Sequence, residues 1–88
     1  MENPNQEKKS LNIGFENRII AGRIVAIVNC NSAPIKRMIK NAKEKDMLID
    51  ATGGKPTRSV IIMDSRHVIL SSVSPRKISG RMEKELEK

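Results

Sequence analysis

Two stretches of this chain are apolar at every position: Ile24-Val25-Ala26-Ile27-Val28 and Val60-Ile61-Ile62-Met63. A strand with one wet face alternates apolar and polar residues, because successive side chains point to opposite sides of the sheet. Runs without a polar face therefore predict strands buried on both sides, and each needs a cover on either face. An 88-residue chain has little to supply that cover, since a domain of this size buries only about 60–65% of its unfolded surface. Disulfides do not make up the difference, because Cys30 is the lone cysteine; a single thiol fits a reducing cytoplasm. A zinc site does not either: Cys30 and His67 are the only soft ligands, and a structural site takes four. Self-association remains. One helix is expected to cover one face of the sheet and a second subunit the other.

The rest of the pattern predicts an α+β domain: a small mixed or antiparallel sheet of about five strands, a central basic amphipathic helix and a C-terminal helix. Residues 1–10 are polar and read as a disordered arm, residues 11–82 as the domain, and residues 83–88 as a charged tail. Strands are expected at residues 11–15, 23–28, 48–52, 57–63 and 67–73, with turns at Glu16-Asn17, Gly53-Gly54-Lys55-Pro56 and Asp64-Ser65-Arg66. Ser32 is an N-cap candidate and Pro34 falls in the first turn of the helix it opens, where a missing N–H costs little. Ile35, Met38, Ile39 and Ala42 then form one apolar stripe. Ser74-Pro75 repeats the same signature before Ile78, Met82 and Leu86, a thin stripe weakened by Gly80.

Seventeen Lys and Arg stand against ten Asp and Glu, a formal charge of +7, which favours a polyanionic partner. No apolar run approaches the roughly 20 residues that span a bilayer, so no membrane partner is expected. An enzyme needs a constellation of groups. His67 begins a strand with no nucleophile placed near it by sequence, Cys30 reads as a small space-filling residue, and Asp50 and Asp64 follow no pairing pattern. Gly53-Gly54-Lys55-Pro56-Thr57 lacks the spacing of a nucleotide-binding loop and precedes a strand rather than a helix. The chain reads as a non-enzyme without metal or cofactor. Its basic residues fall in three groups: Arg18 and Arg23 around the second strand, the helix face with Lys36 and Arg37, and the loop with Lys55 and Arg58. Arginine grips phosphate with a planar fork, and Arg23 and Arg58 each stand beside a strongly apolar strand. Phe15 is the single aromatic residue. Single-strand and RNA readers stack bases on aromatic side chains, whereas duplex backbone contacts need no such platform. Double-stranded DNA is therefore the expected partner. An RNA-binding regulator and a protein-interaction scaffold are the alternatives.

Several blocks then occur in a telling order: Leu11-Asn12-Ile13-Gly14-Phe15, Arg23-Ile24-Val25-Ala26-Ile27-Val28, Ser32-Ala33-Pro34-Ile35-Lys36-Arg37, Leu48-Ile49-Asp50-Ala51-Thr52 and Thr57-Arg58-Ser59-Val60-Ile61-Ile62-Met63. From about Leu11 to Arg81 the chain resembles the RemA family of bacterial extracellular-matrix regulators. The resemblance implies a cytoplasmic, nucleoid-associated transcriptional regulator of biofilm matrix genes. It also implies a ring-shaped homo-oligomer of more than four subunits that presents arginines to duplex DNA. The family's arginine opening the second strand corresponds to Arg23, the functionally linked proline to Pro34, and the basic hairpin loop to Gly54-Lys55-Pro56-Thr57-Arg58. In that loop the family carries two adjacent basic residues, where this chain has Lys55 followed by Pro56.

Overall fold

The computed structural model describes residues 9–87, with side chains as far as Lys84. Most of the arm expected over residues 1–10, the side chain of Leu86 and the end of the expected tail lie outside the described residues.

The chain opens with a hairpin of two short antiparallel strands, β1 (Ser10–Asn12) and β2 (Arg18–Ile20), in which Leu11 faces Ile19. The strand expected over residues 11–15 is shorter than its alternation suggests. Gly14, Phe15 and Glu16 all have positive φ (108°, 53° and 64°), so the chain reverses there. The turn is closed by Asn17 N donating to Gly14 O at 2.9 Å. A 3-10 turn (Ala21–Arg23) leads into β3 (Ile24–Asn29). Arg23 thus ends a turn rather than beginning a strand. Helix α1 (Ala33–Glu44) follows, then β4 (Leu48–Asp50), β5 (Ser59–Met63), β6 (Val68–Ser71) and helix α2 (Pro75–Glu87). Both predicted caps form: Ser32 Oγ accepts from Ile35 N at 3.4 Å and Ser74 Oγ from Lys77 N at 3.3 Å. Helix α2 continues through most of the segment read as a tail.

The single sheet of about five strands is replaced by two sheets. β1 and β2 form one, and the other has the order β3-β5-β6-β4. The pairs β3–β5 and β5–β6 are antiparallel and β4–β6 is parallel. The hairpin does not extend the larger sheet; it packs on one of its faces. Ser71 pins it there, donating from Oγ to Ile13 O at 2.7 Å.

Both faces of the central strands are covered within one chain. On one face Val60 and Val68 pack with Ala42 of α1, flanked by Ile35, Met38 and Ile39. On the other, Ile61, Met63 and Ile69 pack with Leu11 and Ile13 of the hairpin region and Ile78 of α2. Each fully buried Val, Leu or Ile side chain among these contributes roughly 1.5–3 kcal/mol. The second subunit expected as a cover is not needed over β5 and β6. The edges are a different matter. Val25 is 65% exposed on β3 and Ile49 48% exposed on β4. Val25 sits where the β3–β5 register shifts between Ile24 and Ala26; such an extra residue bends a strand and re-aims its side chain.

Candidate nucleic-acid interface

The strand directions organise the charge. Since β3 and β6 are both antiparallel to β5, and β4 is parallel to β6, the strands β3, β4 and β6 run the same way. Their carboxyl ends share one end of the sheet. Helix α1 leaves from the end of β3, and α2 from the end of β6. Two helix N-termini therefore point to that end, each with the positive pole of its dipole. Each first turn holds a proline and a serine cap already takes the third N–H, so the dipole and the nearby side chains rather than free N–H groups set the attraction. The loop from β4 to β5, which carries Lys55 and Arg58, lies there too.

The first turns of both helices are unusual. Neither contains an acidic residue. Exposed Lys36 and Arg37 follow closely on the start of α1, and exposed Arg76 and Lys77 stand in the first turn of α2. A cation next to a helix N-terminus costs about 0.3–1 kcal/mol where an acid would stabilise. That arrangement is unfavourable for the isolated domain and favourable toward a polyanion. Sequence reasoning misses Arg76 and Lys77 as candidates. The signal is nevertheless present, as cations directly after a Ser-Pro helix start where acids are usual.

Local bonds shape the loop. Asp50 Oδ1 accepts from Thr52 N at 2.9 Å and from Thr52 Oγ1 at 2.6 Å. These two bonds hold the Asp50 carboxyl below the ordinary carboxylate range. They end β4 ahead of Gly53 and Gly54, whose φ values of 62° and 85° suit glycine. The Phe15 ring lies against Gly53, where a Cβ would come within 2.8 Å of three ring carbons. Lys55 Nζ stands 5.7 Å from the same ring centroid, within the range of a cation–π contact. The hairpin tip thus braces the basic loop. Arg58 is anchored by its backbone N, which donates to Ser71 O at 2.8 Å. Its residue lines a polar cavity of about 230 Å³ with Asn31, Cys30, Thr57, Ser74 and Pro75. Cys30 Sγ donates to Thr57 O at 3.0 Å. Pro34 occupies the first turn of α1.

Arg18 and Arg23 lie elsewhere. Arg23 adjoins Ile24, which pairs with Met63 at the far end of β5, whereas Arg58 adjoins Ser59 at its start. Four residues of strand, about 14 Å, separate those ends. Arg23 Nε donates to both carboxylate oxygens of Asp64, at 3.0 and 3.2 Å. Arg18 is tied to Ser10, through Nε to Oγ at 2.8 Å and Nη2 to the carbonyl at 3.3 Å. Both arginines border an apolar groove of about 350 Å³ that includes Ile20, Ile49 and Ile69. Within one subunit the candidates form two groups at opposite ends of the sheet.

The structure also gives His67 a neighbour that the sequence did not suggest: Ser65 Oγ lies 2.6 Å from its Nδ1. This is a contact within one tight turn, and Asp64 is occupied by Arg23. Among the described residues, no three His, Cys, Asp or Glu side chains gather to hold a metal ion, and no helix is long and apolar enough to cross a membrane.

Comparison with known proteins agrees with the residue blocks. Over 76 residues, 86% of this chain, the sequence is 58% identical to a regulatory protein of Carboxydothermus hydrogenoformans, covering 87% of it. A regulatory protein of Desulforudis audaxviator is 56% identical over 81 residues, 92% of this chain and 85% of that one. The Extracellular matrix regulatory protein A of Bacillus subtilis is 54% identical over 74 residues, 84% of this chain and 83% of that one. These names are those of regulators, not of enzymes. The model of the RemA-like family, described as Extracellular matrix regulatory protein A-like, matches residues 10–82, and the chain belongs to that family.

Proposed function

We propose that this protein is a transcriptional regulator of extracellular-matrix genes that binds double-stranded DNA as a ring-shaped homo-oligomer. The observation that carries the reading is the convergence at one end of the sheet. Two helix N-termini without first-turn acids, the cations Lys36, Arg37, Arg76 and Lys77, and the braced loop with Lys55 and Arg58 all occupy that end. The positive end of a helix dipole with cations beside it attracts an anion, and phosphate contacts dominate duplex affinity. The exposed apolar edges at Val25 and Ile49 support self-association. In a ring the modest charged end of one subunit repeats, and avidity multiplies weak contacts. Arg18 and Arg23 belong to this reading through the assembly, where the groove they border meets a neighbour. Sequence choice then comes mainly from how easily the DNA bends. Relatives named as regulators, one of them for the extracellular matrix, support the regulatory role.

The test is a fluorescence-anisotropy titration of the assembled protein with a long duplex, the matching single strand and a structured RNA at several salt concentrations. Duplex is expected to bind tightest, with steep salt dependence. Arg58→Ala is expected to weaken binding to all duplex sequences alike and to lower the salt slope by about 1 for each phosphate left unneutralised. Preference for the structured RNA would favour an RNA-binding regulator. Weak, salt-insensitive binding to all three would favour a protein-interaction scaffold.

A further inference from the structure

At the end of the sheet opposite Lys55 and Arg58, the last turn of α1 stands off the beginnings of β4 and β6 and leaves a cleft of about 410 Å³. Its floor is Ala42 and Val68, which are 6% and 3% exposed. The flexible thioether chains of Met38 and Met47 form its walls. Lys45 and Arg66 also line it, and no acid does. Among the described residues, neither cation is paired with a carboxylate. Arg66 is held at the rim by its turn, with φ 74° and its N donating to Met63 O at 3.0 Å.

We propose that this cleft binds a small amphipathic carboxylate: a medium-length alkyl chain lies on Ala42 and Val68 between the two methionines, and its carboxylate sits between Lys45 and Arg66. The size is that of a small-ligand site, in which an apolar body is oriented by a few polar groups. Methionine walls adapt to a flexible chain. Apart from the two cations, Asn41 is the only polar lining residue, so little in the cleft would satisfy a polar ligand body. The C-terminus of α1 opposes an anion with about half a charge. That end is already capped, since Lys45 N, Asp46 N and Met47 N donate to the carbonyls of Asn41, Ala42 and Lys43 at 2.8–3.3 Å. Two whole positive charges outweigh it. Duplex DNA cannot use the site, because a rigid phosphate backbone cannot enter an apolar cleft. The proposal therefore stands independently of DNA binding.

The test is a titration of the full-length, assembled protein carrying 13C-methyl methionine, with octanoate, octanol and octylammonium as probes, read by methyl NMR. Octanoate is expected to shift the Met38 and Met47 methyls in a saturable way. Met63 and Met82, which belong to the core on the other face of the sheet, are expected to stay in place. Octanol should bind about tenfold more weakly, the worth of one charge-assisted contact, and octylammonium more weakly still. The double variant Lys45→Gln/Arg66→Asn is expected to bring octanoate down to the affinity of octanol and to leave octanol unchanged. Asparagine suits the left-handed backbone at position 66, and both side chains are exposed, so the variant should fold. Octanoate that leaves Met38 and Met47 unmoved overturns the site, including the case in which a neighbouring subunit fills it. Octylammonium binding as tightly as octanoate, or a double variant that binds octanoate normally, overturns the carboxylate assignment.

Discussion

Gly53 shows how much a single residue carries here. Its φ of 62° disfavours any side chain, and a Cβ would press on the Phe15 ring. Gly53→Ala is expected to cost about 1 kcal/mol or more in urea unfolding. In a Phe15→Ala background part of that cost should vanish, because the clash is gone while the backbone strain remains. Fully additive losses would show that ring and loop act separately. Asp50 makes a pH prediction. Its carboxyl is held below the ordinary value of 3.8 by the two bonds from Thr52. The folded state therefore binds that proton less readily than the unfolded chain. The contribution is present above pH 3.8 and is lost as the pH falls through the lower, folded value. The urea midpoint of the wild type should drop toward that of Asp50→Asn over this range, and a constant gap would show that charge is not the cause. The Ser32 and Ser74 caps were legible in the sequence because each spans three residues. The Arg23–Asp64 pair spans 41 residues, and no local pattern announces it.

At the scale of elements, both helices and the apolar strands were legible, because periods of 3.6 and 2 are local properties. Strand ends were not. Positive φ at residues 14–16 and the Asp50–Thr52 bonds end strands earlier than alternation suggests. The split into two sheets also escaped sequence reading. Alternation alone does not say whether a hairpin pairs beside a sheet or packs on its face; here the burial of Leu11 and Ile13 against Ile61, Ile69 and Ile78 puts it on the face, with the Ser71–Ile13 bond beside them. Gly80 lies within α2, and a Cβ there would meet nothing within 4 Å. Gly80→Ala should therefore stabilise the protein by about 0.5–1 kcal/mol, read as a higher thermal midpoint. No gain would mean that α2 is already unwound at the midpoint. The cations in the first turns of both helices also belong to this scale, since their effect comes from the dipole of a whole helix.

For the whole molecule, the central strands are satisfied within one chain and the edges are not. In the proposed ring, Val25→Lys is expected to shrink the assembly, as seen by light scattering, and to reduce duplex affinity far more than Arg58→Ala does. An assembly of unchanged size would remove the β3 edge from the subunit interface. Arg23 and Arg58 occupy opposite ends of the β3–β5 ladder, so in the proposed ring the two are expected to meet different stretches of the partner.

By itself the sequence determined the α+β class, the helix starts, the apolar runs, the excess of positive charge and the family. Each is written in composition or in neighbours a few residues apart. Only the tertiary structure decided that α1 crosses between co-directional strands and brings its N-terminus beside that of α2. The same arrangement puts Lys55, Arg58, Arg76 and Lys77 at one end, and Arg23 with Asp64 at the other. The physical reason is that strand order and direction are settled by burying two apolar faces at once, a condition on the whole chain that no local window contains.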